Sequence, residues 1–124
     1  MQSRPVSPPG PDYLPTLCVV IPVFNEEAVI PELLRRLNAV YAKLSELNCE
    51  TVFVDDGSRD RSVELLAAAA ETNPRLRVVQ LSRNFGHQPA LSAGIALAKN
   101  ADAVVTMDAD LQDPPELIPE MVKA

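Results

Sequence analysis

Little in this sequence points to a covalent framework, a membrane span or a polyanionic partner. Only two cysteines, Cys18 and Cys49, occur in 124 residues. Each sits in or beside an apolar run without CxxC spacing, which argues against a disulfide scaffold or a thiolate zinc site. Both read as small packing residues in a reducing compartment. No stretch approaches the ~20 apolar residues of a membrane helix, and residues 1–16 lack the apolar core of a signal peptide. Cations are the minority, 11 Lys and Arg against 17 Asp and Glu for a net charge of −6. The clustered positive charge that neutralises a nucleic-acid backbone is therefore missing, although a small anion held by a few groups is still compatible. GxGxxG and GxxxxGK[ST] are both absent, which removes the dinucleotide and P-loop readings.

What is present fits one α/β domain: 47% of the residues are hydrophobic and 23% charged. Residues 1–16 carry Pro5, Pro8, Pro9, Pro11 and Pro15 and read as a disordered or extended leader, because proline removes backbone donors. The folded domain is expected over residues 17–124. Four short apolar runs, residues 17–23, 51–54, 76–81 and 103–107, read as strands buried on both faces. Between them, residues 26–47 carry Val29, Leu33, Leu34, Leu37, Val40, Tyr41 and Leu44 at helical spacing. Residues 59–72 and 88–99 also read as helices, and Pro114-Pro115-Glu116 as the start of another. Strand and helix in alternation predict a mainly parallel sheet flanked by helices, with ligands at the carboxyl ends of its strands.

The polar residues of the chain collect at that edge. Asp108 and Asp110 follow the fourth strand two residues apart, so an extended backbone would aim both carboxylates the same way. Such a pair repels itself unless a cation relieves it, and Mg²⁺ or Mn²⁺ held by one or two carboxylates, water and a diphosphate is the natural occupant. Gln112 is a candidate further ligand and Asp113 a weaker one. Asp55 ends the second strand, where a carboxylate suits a base N–H or a ribose hydroxyl. Asp56-Gly57 is also an ordinary turn dipeptide, and Ser58 or Asp60 suits the cap of the following helix. Arg83 and His87 bring basic or titratable groups to an acidic edge, where phosphate would meet them. Gly86 and Gly94 would permit close backbone approach.

Taken together, Val20-Ile21-Pro22-Val23-Phe24-Asn25-Glu26, Val52-Phe53-Val54-Asp55-Asp56-Gly57-Ser58 and Met107-Asp108-Ala109-Asp110 resemble family 2 glycosyltransferases of the GT-A fold. The blocks Leu81-Ser82-Arg83-Asn84-Phe85-Gly86-His87-Gln88 and Asp108-Ala109-Asp110-Leu111-Gln112-Asp113-Pro114-Pro115-Glu116 are similar to the polyprenyl-phosphate branch, related to dolichyl-phosphate mannose synthase and undecaprenyl-phosphate glucosyltransferases. The resemblance implies a Rossmann-like nucleotide-binding half and an inverting transfer of one sugar from a nucleotide diphosphate sugar to a polyprenyl phosphate. The donor is expected to be a UDP-sugar, with a GDP-sugar as the alternative, and the place the cytoplasmic membrane face. By motif, Pro22, Phe24, Glu26 and Asp55 would hold the nucleobase and ribose. Asp56 and Arg83 would lie near the ribose or diphosphate, and Asp108, Asp110 and Gln112 would bind Mg²⁺ or Mn²⁺, with Asp108 also near the nucleotide. Phe24 stands where the family often has Tyr.

In that family an acceptor-binding half follows the DxD region. Its absence from this sequence implies a truncated GT-A domain, with weak nucleotide binding, little or no transfer, and self-association through uncovered surface. A nucleotide-sugar-binding fragment without activity is the alternative. A haloacid-dehalogenase-like phosphatase, with Asp108 as nucleophile, fits less well: that motif opens its domain, whereas here it comes fourth in strand order and Gln112 stands where Thr or Val is usual. A calcium loop fails because Asp113 replaces its turn glycine.

Overall fold

The computed structural model describes residues 14–123; most of the proline-rich leader, residues 1–13, and Ala124 lie outside the described residues. Four strands, β1 (Thr16–Val23), β2 (Asn48–Asp55), β3 (Leu76–Gln80) and β4 (Ala103–Thr106), alternate with α1 (Ile30–Ala42), α2 (Ser62–Thr72) and α3 (His87–Leu97). A 3-10 turn at Pro115–Leu117 leads into α4 (Ile118–Lys123). The strands lie in the order β3-β2-β1-β4 and every pairing is parallel. This is the helix-flanked parallel sheet that the alternation of elements predicts.

The near-continuous apolarity of β1 and β2 has a direct cause. Successive side chains point to opposite faces, and both faces of these central strands are covered. Leu17, Val19, Ile21 and Val23 of β1 join Phe53 of β2 in a core with Ile30, Leu33, Leu37 and Leu66 of α1 and α2. Cys18 and Val20 join Val52 and Val54 in a second core with Ala90 of α3. Gly94 lets α3 close on the sheet: a Cβ there would stand 2.4 Å from Val20 Cγ1 and 2.9 Å from Val54 Cγ2. Both cysteines are free and buried in these layers.

Three expectations need correction. Burial on both faces fails for the edge strands: Arg77 and Gln80 of β3 and Ala103, Val104 and Thr106 of β4 are exposed, because β3 pairs only with β2 and β4 only with β1. The first helix begins at Ile30 rather than residue 26. Residues 26–29 instead form a turn in which the N–H groups of Val29 and Ile30 both donate to the carbonyl of Glu26, at 3.0 and 3.1 Å, and Pro31 occupies the helix's first turn. At its other end Lys43 and Leu44 donate to Val40 and Tyr41, a tighter i to i−3 pattern. The helical hydrophobic period outlasts the helix because Leu44 is still buried in the core. The second helix starts at Ser62, three residues later than expected, since Ser58, Arg59 and Asp60 are engaged with the loop after β1.

Candidate functional site at the carboxyl edge of the sheet

Three loops meet above the ends of β1, β2 and β3, and their own polar groups fix how. The first two are tied together by four hydrogen bonds. The Asn25 N–H donates to Ser58 Oγ at 2.8 Å, the Glu26 N–H to Ser62 Oγ at 2.9 Å, the Glu27 N–H to Asp60 Oδ2 at 3.1 Å and the Arg59 N–H to Asn25 Oδ1 at 2.8 Å. Asn25 has φ 53°, a left-handed conformation that asparagine tolerates better than most side chains. Asp60 also accepts the Ser62 N–H at 2.9 Å. Burial pushes its carboxyl up, but the bonds from Ser62 and Glu27 outweigh that and hold it below its ordinary value.

The third loop is latched by Asp56. This buried carboxylate accepts the Phe85 N–H at 2.7 Å, the Gly86 N–H at 3.0 Å and Asn84 Nδ2 at 3.2 Å. Gly57, at φ 77°, makes the approach possible, since a Cβ there would meet the Asn84 nitrogen at 2.5 Å and the Arg83 carbonyl carbon at 2.6 Å. The latch presents Arg83 on the outside, its guanidinium 4.2 Å from the centroid of the Phe85 ring.

Asp55 behaves differently. It is fully buried; its Oδ2 accepts the Ser58 N–H at 3.0 Å, while its Oδ1 has no hydrogen-bond partner among the described residues. A buried carboxylate oxygen left unsatisfied is costly, so its position at the sheet's carboxyl edge suits a donor from a ligand. Beside it lie two cavities that share Phe24, a half-exposed ring. One, of about 210 Å³, is lined by Pro22, Phe24, Asp56, Asn84, Gly86 and His87. The other, of about 580 Å³, runs past Phe24, Ser58, Arg59, Gln80, Arg83 and Asn84. It has two arginines and no carboxylate in its lining, in a chain of net charge −6.

The fourth loop carries Asp108 and Asp110. The strand ends at Thr106, so neither aspartate sits on extended strand, yet burial alternates: Met107 and Ala109 are buried while Asp108 and Asp110 are exposed. Asp108 Oδ1 stands 3.9 Å from His87 Nε2 at the start of α3. Asp110 Oδ1 accepts the Gln112 N–H at 3.1 Å. Glu26 is near enough to feel Asp110: burial first, then the like charges of Asp110 and Asp60, push its carboxyl above the ordinary value. Among the described residues no three His, Cys, Asp or Glu side chains gather into a cage for a metal ion. The donors fit Mg²⁺ or Mn²⁺ in another way. Hard oxygens from one or two carboxylates, supplemented by water and phosphate, are what these ions accept, and the like-charge pressure on Glu26 marks a place where a cation is electrostatically welcome.

The structure thus brings Pro22, Phe24 and Asp56 to one cavity, Phe24 and Arg83 to the next, Asp55 beneath the edge, and Glu26 toward Asp110. Gln112 is exposed and joins Asp110 through its backbone. Sequence reasoning missed Asn25, Ser62 and Asn84, which hold the loops; Asn84 also lines both cavities and Asn25 the larger one. Their signal was the local chemistry of Asn and Ser, which readily bond backbone N–H groups.

Comparison with known proteins identifies the family and the fold. The family description "Glycosyl transferase family 2" matches residues 18–124. The chain is 55% identical over 106 residues, 85% of its length, to an undecaprenyl-phosphate 4-deoxy-4-formamido-L-arabinose transferase of Pseudomonas aeruginosa, covering 31% of that protein. It spans about a third of the length of the curated relatives it matches. Among solved structures, it resembles a mannosyltransferase from Pyrobaculum calidifontis in complex with GDP-Man and Mn²⁺, with TM-score 0.67 and 28% identity over 86% of this chain and 35% of that one. It also resembles glucosyl-3-phosphoglycerate synthase from Mycobacterium tuberculosis in complex with Mn²⁺, UDP and glucosyl-3-phosphoglycerate, with TM-score 0.65 and 29% identity over 88% of this chain and 39% of that one. The four-stranded parallel sheet with its helices is the nucleotide-binding half of the GT-A fold. Among the described residues no helix is long and apolar enough to cross a membrane.

Proposed function

The chain belongs to glycosyl transferase family 2, and we propose that residues 17–124 form the donor-nucleotide-binding part of an inverting glycosyltransferase that moves one sugar from a nucleotide diphosphate sugar to a polyprenyl phosphate. The observation that carries the donor-site reading is the buried Oδ1 of Asp55, without a partner among the described residues, next in sequence to Asp56, which lines an open cavity. That oxygen accepts a base N–H or ribose hydroxyl, while Phe24 and Pro22 give the base an apolar surface and Glu26 approaches the ribose. Both oxygens of Asp56 are engaged by the loop after β3, so Asp56 acts near the ribose and diphosphate by holding that loop, from which Arg83 supplies positive charge. Asp108 and Asp110, with Gln112, would hold Mg²⁺ or Mn²⁺, which would supply positive charge against a leaving diphosphate.

The acceptor rests on the undecaprenyl-phosphate transferase relative; placement of the whole protein at the cytoplasmic face of a membrane belongs to the same proposal. A UDP-sugar is the preferred donor; solved neighbours with UDP and with GDP-Man make both nucleotides part of the test. Calorimetry with UDP, UDP-glucose and GDP, with and without Mn²⁺, is compared with Asp55→Asn and with the double variant Asp108→Asn, Asp110→Asn. Manganese-dependent nucleotide binding that both variants weaken is expected. Equal binding by wild type and the double variant refutes the metal assignment, and undiminished binding by Asp55→Asn refutes the base-site assignment. Nucleotide binding without sugar turnover would identify this chain as a binding part alone.

A further inference from the structure

Leu111 is the one described residue with a branched apolar side chain at positive φ, 65°. A Cβ makes that left-handed backbone unfavourable, and such a conformation persists only where the surroundings over-determine it. Leu111 lies between Asp110 and Gln112, so whatever holds it also sets those two residues relative to Asp108. The turn is pinned on its strand side by the Met107 N–H, which donates to the Val20 carbonyl at 3.1 Å, and by buried Met107 and Ala109. On its other side the chain is extended at Pro114 and enters the 3-10 turn Pro115–Leu117. Buried Pro115 and fully buried Ile118 dock this segment on the core.

Among the described residues, one polar side-chain contact ties that docked segment to the rest of the domain. Arg36 of α1 forks onto Glu116, with Nε donating to Oε2 at 3.1 Å and Nη2 donating to Oε1. The two residues are 80 positions apart in sequence. The arginine side chain is 25% exposed and the glutamate 51%. Bidentate geometry and an arginine side chain largely covered along its length separate this pair from ordinary surface ion pairs. Its neighbour Arg35 is the contrast, reaching only Glu32 three residues away on the same helix. We propose that the Arg36–Glu116 pair is a positioning clamp that holds Leu111 in its left-handed conformation and thereby fixes the geometry of the Asp108–Gln112 turn. Its relevance to cation binding rests on the donor-site reading above; the conformational claim does not.

The test uses the 124-residue chain and reads two things: the backbone carbon shifts of Leu111 by NMR without metal, and binding of Mn²⁺ alone by calorimetry. Arg36→Met keeps the apolar stem and removes the fork. It is expected to move the Leu111 shifts away from left-handed values and to weaken Mn²⁺ binding about 5- to 30-fold, the range set by the left-handed penalty. Glu116→Gln should do the same from the other partner, and Arg35→Met should do neither. Glycine accepts positive φ without strain, so Leu111→Gly in the Arg36→Met background should recover much of the lost affinity, which a general loss of stability would not do. Unchanged Leu111 shifts in both Arg36→Met and Glu116→Gln overturn the clamp, and so does weakened Mn²⁺ binding that glycine fails to restore. A wild-type chain that binds no Mn²⁺ while its Leu111 shifts still depend on Arg36 sinks the cation assignment and leaves the clamp standing.

Discussion

Replacing Asp56 by alanine tests whether the site's shape depends on one buried carboxylate. In the wild type that group receives three hydrogen bonds, from the N–H groups of Phe85 and Gly86 and from the Asn84 amide, at 2.7, 3.0 and 3.2 Å. Hydrogen bonds to a charged acceptor contribute roughly 1.5–3 kcal/mol each. Two terms reduce the sum. The loop can turn its freed donors toward water, because Phe85 and Asn84 are exposed as residues, and removing a carboxylate that is 4% exposed also removes its desolvation penalty. A net loss of about 2–3 kcal/mol follows, a drop in melting temperature of about 10 °C for a domain of this size. Asp56→Asn keeps one acceptor but turns an N–H donor toward another donor, so about half of that loss is expected. Circular dichroism melts measure the total, and hydrogen exchange at the Phe85 and Gly86 amides locates it. An alanine variant melting within about 2 °C of wild type, or one whose Gly86 amide is as protected as before, would refute the latch.

Gly57→Ala meets both a backbone φ of 77° and backbone atoms at 2.5 and 2.6 Å; we expect a loss of about 2 kcal/mol or more, read by denaturant melts, and retention of full stability would contradict the close packing of the two loops. Glu26 titrates in the opposite sense to a salt-bridged acid: its folded pKa is raised, so its favourable contribution belongs to the protonated form and is lost as pH rises through that value. Glu26→Gln should therefore melt higher than wild type at pH near 7 and equally below about pH 4.5, and added Mg²⁺ should narrow the gap at neutral pH; a variant less stable at neutral pH would refute the assignment of repulsion. Glu116 has the usual sign, held below its ordinary value first by the Arg36 hydrogen bond, so its contribution is present at neutral pH and lost as pH falls below about 4.5; melts of Glu116→Gln should show a smaller acid-side decline than wild type. The open edge of β4, with Val104 exposed, is expected to drive concentration-dependent association that Val104→Lys suppresses; equal sedimentation behaviour of the two chains would rule that edge out.

The fold was legible because its signals are local. A central parallel strand must be apolar on both faces, and β1 and β2 are. The errors came where tertiary context acts on a local signal. β4 is as β-branched as a central strand, but its place at the sheet edge comes from a topology that no four-residue window contains. Leu44 keeps the helical period although the backbone has left the helix, because the core still needs its side chain. The same division runs through the site. Asp55, Asp56, Asp108 and Asp110 stand out as acids at strand ends, yet sequence cannot separate Asp55, with one oxygen unsatisfied, from Asp56, whose two oxygens hold a loop 28 to 30 residues away. That separation distinguishes the aspartate with an open acceptor oxygen from the one committed to the loop. It depends on Gly57, whose missing Cβ lets the Arg83–Asn84 backbone come close enough for Asp56 to capture the loop. A turn dipeptide that reads as ordinary loop chemistry is therefore what commits Asp56 to the loop rather than to a ligand.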